Sequence, residues 1–535
     1  IDYKIFSNLE VDEFSSLVLR NSGNDLHNTM FRDALLTSLF HESVDKQAYR
    51  PAALYLNGEY WGIHNIREKI NEDFLANHYN LDPDSITILE HNAIPVEGDE
   101  QEYVELISYI SSNDLSMASN YEYVTEHIDI SNYIYYQLGN IFIDNRDWPG
   151  NNIKYWKSNR PDGKWRWITY DKDFGFDLWS EGTVYGNTLE FALNPNGPEW
   201  PNPPWSTLLF RRLIENDDFK NQFINTFADE LNSRLIPENV IDKIDSFESA
   251  ISNDIGDHLN RWNRSLSGWK SNVNRMREFA EIRPGVVRNN IKSVFSLPSS
   301  NNITLQVNNE AHGDIQINTL TLSNYPWSGE YFASAPVTLR ALPKPGYRFL
   351  RWEGDQTGTS STLLVNVDRQ LTIRAVFEES DSELNTVVIN EINYNSDKDS
   401  ETEDWIELYN NSTNSIDLSG WIIKDNDDDH AFVIEHGTML SSGAYIVICR
   451  DQEVFQTIHS TSNILGNMDF GLSSDGDCVR LFHSEGTLAD QVCYSTDAPW
   501  PSLPDGKGGT LALKNPALDN DDAANWYGLS GNGNP

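Results

Sequence analysis

Residues 146–152 read RDWPGNN and residues 171–176 read DKDFGF. Just upstream, DISNYIYYQLGNIFI sets Ile130, Ile134, Leu138 and Ile141 at spacings of four, four and three. That spacing predicts one apolar face of a helix capped at Asp129 or Ser131. Pro149 and Gly150 then impose an irregular loop. Beyond the loop, IKYWK, the turn SNRPDGK and WRWITY read as two short aromatic strands joined as a hairpin. Asp171 and Asp173 fall where the second strand ends.

Helix, loop with Asp and Asn, hairpin and acidic strand end follow one another in the catalytic segment of protein kinases, which this stretch resembles. There H-R-D-x-x-x-x-N supplies a base and a metal ligand, and D-F-G supplies a second ligand. Here Asn152 follows Asp147 at the same +5 spacing, and Asp173-Phe174-Gly175 follows the hairpin. The residue types suit the chemistry: hard divalent cations between phosphates prefer oxygen ligands, and an Asp beside an attacking hydroxyl can accept its proton. The plainer alternative is that Asp147 caps a turn, Asn151 and Asn152 occupy left-handed positions, and Asp171 and Asp173 solvate a strand end.

The rest of the chain sets limits on this reading. Its 535 residues exceed a single core, so two to four domains are expected. The formal charge of −42, from 81 Asp plus Glu against 39 Lys plus Arg, argues against nucleic acid or an anionic membrane surface as partner. Sixteen Trp residues speak for folded cores rather than acidic disorder. Three cysteines, Cys449, Cys478 and Cys493, lack the paired spacing of a zinc site. They read as buried free thiols in strands, with one disulfide in the last domain as the alternative, and such sparing cysteine use permits an exported bacterial protein. No window approaches the ~20 apolar residues of a membrane-spanning helix. The chain starts at Ile1 rather than Met and shows no signal peptide, as a processed or truncated product would.

Composition changes twice along the chain. Up to about residue 296, strands mix with long helices; in FKNQFINTFADEL, Phe219, Phe223 and Phe227 form one stripe. Trp262 through Val294 reads as helical, and LPSSNN at 297–302 as a linker. ITLQV, DIQINTL, VTLRAL and LTIRAVF then alternate as an all-β module, and EESDSE at 378–383 reads as a solvated spacer. VVINEINY, DWIELYN, GWIIKD, AYIVICR and CVRLFH predict a sandwich of at least seven strands.

Four blocks carry a resemblance to a family: LVLRNSGND at 17–25, LYLNGEYWGIHNIREKI at 54–70, DNRDWPGNNIKYW at 144–156 and WRWITYDKDFGF at 165–176. Together they resemble the CotH family of spore-coat-protein-H-like atypical kinases. KPGYRFLRWEG and LTIRAVFEE are similar to InlB-type β-repeats, and VVINEINY through CVRLF to a lamin-tail domain. The resemblance implies a multidomain protein: an α+β kinase-like domain over 1–296, which either lacks the family's opening strands before Ile1 or grips nucleotide poorly, then two all-β modules, a small β-repeat over 303–378 and an immunoglobulin-like sandwich over 385–535. It implies ATP with Mg²⁺ or Mn²⁺, a protein substrate and an extracellular or cell-surface location. Asp147 would be the catalytic Asp, and Asn152, Asp171 and Asp173 metal ligands; the D-F-G spacing favours Asp173 as the principal one. Arg20, closing a strand, is a candidate phosphate contact or a surface cation. Glu68 belongs to the nucleotide hinge, to an ion pair supporting the site, or to structure alone.

One departure concerns the glycine-rich loop that normally covers the triphosphate: the first glycine is Gly23. Two functions therefore compete. One is an exported kinase displayed by its β modules; the other is a non-catalytic surface or adhesion protein whose kinase-like domain binds an extracellular polymer.

Other candidates read as structural. Glu391 and Glu407 have the residue types of a glycosidase pair but fall inside the lamin-tail blocks. DNDDD at 425–429 lacks the order of an EF-hand and reads as a solvated hairpin loop. Trp148, Trp156, Trp165 and Trp167 could stack on sugar, but alternating strand aromatics favour a core. His64 and His78 have no metal spacing.

Overall fold

The computed structural model describes residues 1–535 apart from 2, 8, 10, 12, 80, 161–162, 180–181, 345–346, 380–385, 397–401, 460–462, 498, 517, 519 and 531–535. Two compact units emerge: residues 1–303 with 329–337 and 365–371, and residues 304–328 with 338–364 and 372–535.

The N-terminal region is α+β. An antiparallel sheet orders Leu17–Arg20, Glu59–Glu68 and Tyr49–Leu56, with Arg20 opposite Asn65 and Leu17 opposite Glu68. A second sheet runs Asp45–Lys46, Arg166–Thr169, Lys154–Ser158, Ile86–Glu90, Ile94–Glu97. The hairpin expected after the loop is thus the pair Lys154–Ser158 and Arg166–Thr169, antiparallel with Tyr155 opposite Trp167. The four tryptophans around it, Trp148, Trp156, Trp165 and Trp167, are all buried, so they fill the core and offer no sugar platform.

The helix before the loop spans Ile130–Phe142, and the Asp129 carboxylate caps it by accepting the Asn132 N–H. Phe219, Phe223 and Phe227 lie fully buried on helix Asp217–Asn232. The long helical stretch expected from Trp262 is broken instead. Trp262 closes helix Ile255–Arg261, Asn263 turns left-handed with φ 52°, and Ser265 caps helix Leu266–Val294. A serine oxygen can satisfy the first free N–H groups of a new helix, and here it accepts from Gly268.

The linker expected over 297–302 is shorter in fact, because strand Ser300–Val307 begins inside it. Residues 300–379 carry two four-stranded sheets, and strand Leu371–Glu379 runs two residues into the acidic spacer; the remainder of that spacer lies outside the described residues. The C-terminal module is all β, as expected. A six-stranded sheet contains Val387–Asn393, Trp405–Asn410 and Tyr445–Cys449, and a four-stranded sheet contains Ile422–Lys424, Gly476–Phe482 and Leu488–Ser495. Their inward faces share one core that includes Ile389, Leu408, Ile423, Leu481 and Trp526.

Two expectations for this module need correction. Cys478 and Cys493 are bonded, not free, because the hairpin register sets them directly opposite one another; Cys449 alone keeps a buried free thiol. The acidic run at 425–429 is more than a solvated loop. Asp425 is buried and bonded to His430 at 2.6 Å, and Asp428 pairs with Arg480 at 2.8 Å. Glu391 and Glu407 face each other across the strands and are both buried, with Thr510 and Asn390 as respective donors. No helix among the described residues is long and apolar enough to cross a membrane.

Candidate active site

The two loops that open the sequence reading meet in space. The Arg146 N–H approaches the Phe174 carbonyl at 3.5 Å, and the Phe176 N–H donates to the Ile143 carbonyl at 3.0 Å. Arg32, itself held by the buried Asp25 at 3.2 Å, donates to the carbonyls of Gly175 (3.1 Å) and Phe176. The loops carry an unusual density of left-handed residues that are not glycine: Asp144, Asn152, Asp171, Phe176 and Asp177, with φ between 51° and 58°. Asp and Asn tolerate this region better than most residues, whereas at Phe176 it is strained. Strain of this kind persists only where surrounding bonds over-determine the backbone.

Asp147 is buried beneath its own loop. Asn151 donates to its Oδ1 at 2.8 Å and Asn152 to its Oδ2 at 2.6 Å, while its N–H donates to Asn145 at 3.1 Å. The same Asn152 amide reaches the Asp171 carbonyl at 3.3 Å, which links the two loops through one side chain. Burial raises the Asp147 carboxyl, opposed by the Asn151 amide and reinforced by the charge of Asp171.

Asp171 and Asp173 converge on Arg20. One guanidinium nitrogen bonds Asp171 and also lies 3.3 Å from Asp173, while the other approaches Asp33 at 3.6 Å. The Asp173 side chain is 1% exposed. It accepts the Asn24 N–H at 2.9 Å and the Asn24 amide at 3.3 Å. Burial, with the neighbouring charge of Asp171, pushes its carboxyl up to about 6 against the pull of Arg20. Gly23 makes the approach possible: a Cβ there would sit 2.6 Å from the Asp173 oxygen and 2.7 Å from the Arg20 nitrogen, and its φ is 56°.

Behind this front lies a second set of charges. Asp33 is fully buried, yet Arg67 at 2.7 Å, Arg20 and the Lys172 N–H at 2.8 Å hold its carboxyl below the ordinary range. Lys172, buried between Asp171 and Asp173 in the chain, directs its ammonium to the Asn152 carbonyl at 3.4 Å. Burial lowers it to about 8, even though Asp171, Asp33 and Asp147 favour its charge.

Of the residues singled out from sequence, Arg20, Asp147, Asn152, Asp171 and Asp173 therefore form one cluster. Glu68 lies apart. Its carboxylate accepts the Ala48 N–H at 2.8 Å and pairs with His78 at 2.8 Å. Sequence reasoning missed Gly23, Asn24, Asp33, Arg67 and Lys172. Only Gly23 carried a signal, as a glycine set between Ser22 and Asn24 three residues past the end of strand Leu17–Arg20.

The donor set fits a divalent cation that shares its shell with phosphate. Asp171 and Asp173 offer carboxylate oxygens and Asn152 a carbonyl oxygen, and two anions converging on a single guanidinium leave room for further positive charge. Among the described residues no group of three or more His, Cys, Asp or Glu is placed to hold a metal ion. Mg²⁺ does not need one, because it is commonly held by one or two carboxylates plus substrate phosphates.

Comparison with known proteins concerns the domains of the chain. A family model described as CotH kinase protein matches residues 2–287. Models described as Divergent InlB B-repeat domain and Lamin Tail Domain match residues 303–381 and 380–496. No curated protein matches the chain. Among solved structures, a DUF4876 family protein from Bacteroides thetaiotaomicron shares 9% identity over 44% of this chain and 93% of its own, with a TM-score of 0.20, too slight a likeness to inform the fold. The kinase model covers more than half of the sequence, and the chain belongs to the CotH kinase protein family.

Proposed function

We propose that this protein transfers the terminal phosphoryl group of ATP to a protein hydroxyl outside the cell. The observation that carries the reading is the convergence of Asp147, Asn152, Asp171, Asp173 and Arg20 from separate segments onto one cluster. Asp147 lies buried within its loop with its carboxylate oriented by two amides, and burial raises its affinity for a proton. That suits a base which receives the acceptor's hydroxyl proton as the oxygen attacks phosphorus and ADP departs. Asp171, Asp173 and the Asn152 carbonyl would hold Mg²⁺ or Mn²⁺, which when bound offsets the charge of the phosphates. Arg20 is placed to contact a phosphate oxygen once a cation relieves it of part of its pairing with Asp171 and Asp173. Lys172 and Arg67 act from behind, fixing Asp33 and the strand end.

Extracellular location is supported by the Cys478–Cys493 bond, since such bonds persist in oxidising compartments, and by the matching β-repeat and lamin-tail models. Calorimetric titration tests the central reading. ATP with Mg²⁺ or Mn²⁺ should bind the wild type only in the presence of the metal, and Asp173→Ala should abolish that binding. Wild-type protein that ignores ATP with either metal would favour a binding scaffold for an extracellular polymer.

A further inference from the structure

Asp171 and Asp173 differ in how far solvent reaches them. The Asp171 side chain is 32% exposed and that of Asp173 1%, so an ion arriving from solution meets the first and is kept from the second. The cover over Asp173 has two parts. Arg20 reaches only its Oδ2, at 3.3 Å. Asn24 engages both oxygens, its N–H donating to Oδ2 at 2.9 Å and its side-chain amide to Oδ1 at 3.3 Å. Withdrawal of Arg20 alone therefore leaves Asp173 closed. A cation that needs a carboxylate oxygen at about 2 Å has to displace Asn24 as well.

The local chain is suited to a short excursion. On one side Ser22 is buried, its hydroxyl donating to the Met30 carbonyl at 2.6 Å and accepting the Asn65 amide at 2.9 Å. On the other side Asp25 is buried, accepting the Thr29 N–H at 3.0 Å and pairing with Arg32 at 3.2 Å. Between these anchors Gly23 and Asn24 are exposed. Gly23, at φ 56°, brings the backbone rotational freedom that other residues lack. Two exposed residues between two fixed ends can lift without disturbing the core on either side.

We infer that Asn24 is a positioning residue of the cation site, and that with Gly23 it forms a strap which shuts Asp173 away until a divalent cation displaces it. Assigning the site to a cation rests on the phosphotransfer reading. The half-exposed Asp171 receives the ion first, and Asp173 joins it as the strap lifts. Only the open strap offers both carboxylates, so the apparent affinity is the intrinsic one scaled by the open fraction. Loosening the closed strap must then tighten cation binding. Loss of a ligand, or of a side chain that merely props Asp173 in place, has the opposite sign.

The full chain is titrated with Mn²⁺ alone, followed by the electron paramagnetic resonance of the free ion, while ATP with Mg²⁺ is titrated in parallel by calorimetry. Asp173→Ala, titrated alongside, identifies ions held elsewhere on this acidic chain. Asn24→Ala removes the side-chain bond at an exposed position and should tighten the Asp173-dependent Mn²⁺ binding about three- to tenfold, the scale of one hydrogen bond. On the unmutated protein, saturating Mn²⁺ should speed hydrogen exchange at the Asn24 N–H, which has lost its acceptor. Weaker or unchanged Mn²⁺ binding by Asn24→Ala overturns the strap, as does exchange that slows or stays the same when the ion binds. So does Mn²⁺ binding no greater than that of Asp173→Ala, since a site that stays empty with its cover loosened holds no cation. Any of these results with ATP and Mg²⁺ still bound removes the strap and spares the phosphotransfer reading, whereas loss of ATP binding in the wild type removes the reading itself.

Discussion

Two sets of buried carboxylates, one in each region, are satisfied in opposite ways. In the N-terminal region Asp25 and Asp33 are each matched by a guanidinium, Arg32 at 3.2 Å and Arg67 at 2.7 Å. In the lamin-tail module Glu407 and Asp490 are buried with neutral donors instead, Asn390 at 2.8 Å and Asn520 at 2.7 Å, and burial pushes each carboxyl up to about 7. The guanidinium groups beside Asp33 favour its charged form, whereas the two neutrally bonded carboxyls drift toward their protonated form. Charge is thus preserved at Asp33 and shed at Glu407 and Asp490.

The largest effect that could break this contrast is catalytic. Asp147→Asn keeps the shape of the side chain and removes its basicity, so it should lower kcat/KM for phosphotransfer by about 10²–10⁴. Nucleotide affinity with Mn²⁺ should be little changed, because Asp171 and Asp173 remain. An equal loss of nucleotide binding would show that Asp147 acts as part of the cation site and not as the base.

The second test concerns pairing itself. Arg67→Met leaves Asp33 buried with its principal partner gone, while Arg20 stands 3.6 Å away. Breaking a buried pair from one side typically costs about 3–5 kcal/mol, measurable as a shift of the N-terminal transition in urea. A cost below about 1 kcal/mol would mean that Arg20 alone suffices and that the pairing is looser than its geometry suggests.

These two predictions fall on residues of different legibility. Asp147 and Asn152 could be found because their spacing is local, and helix Ile130–Phe142 and the hairpin that bracket them follow from periodicity and turn chemistry. Arg67 and Asp33 could not, since Arg67 occupies an ordinary strand position and the Lys172 N–H that completes Asp33 is 139 residues away. Gly23 was visible as a residue, but its purpose, admitting the backbone to within bonding distance of Asp173, exists only after two distant segments meet. The Cys478–Cys493 bond was hidden for a similar reason. Strand assignment places each thiol in a strand, whereas the bond depends on register, and a slip of one residue would turn the two thiols to opposite faces.

The same bond supplies the third test. It closes a loop of 15 residues in the C-terminal module. Chain-entropy reasoning gives about 3 kcal/mol for a loop of that size. The double substitution Cys478→Ala, Cys493→Ala should lower the C-terminal transition accordingly and leave ATP affinity with Mg²⁺ unaltered. Coupled loss of both would show that the module supports the catalytic region and does not merely display it.

The smallest effect sharpens the contrast most directly, because it separates the two kinds of burial by sign. Glu407 and Asp490 have folded values raised to about 7, burial being the main cause and Glu391 adding to it for Glu407. The unfolded chain releases these protons near pH 4. Between about pH 4 and 7 the folded module therefore holds more protons than the unfolded one, so its stability falls as pH rises through that window and levels off above it. Asp33 has the opposite sign: its folded value is depressed, so its contribution is present above pH 4 and declines only on stronger acidification. Scanning calorimetry of the full chain from pH 5 to pH 8 should show the C-terminal transition falling up to about pH 7 and holding level above it. Asp490→Asn with Glu407→Gln should flatten that slope, since neither replacement can ionise. A C-terminal transition that instead rises with pH would mean that the amide and backbone donors around these groups outweigh burial, and that Glu407 and Asp490 stay charged just as Asp33 does.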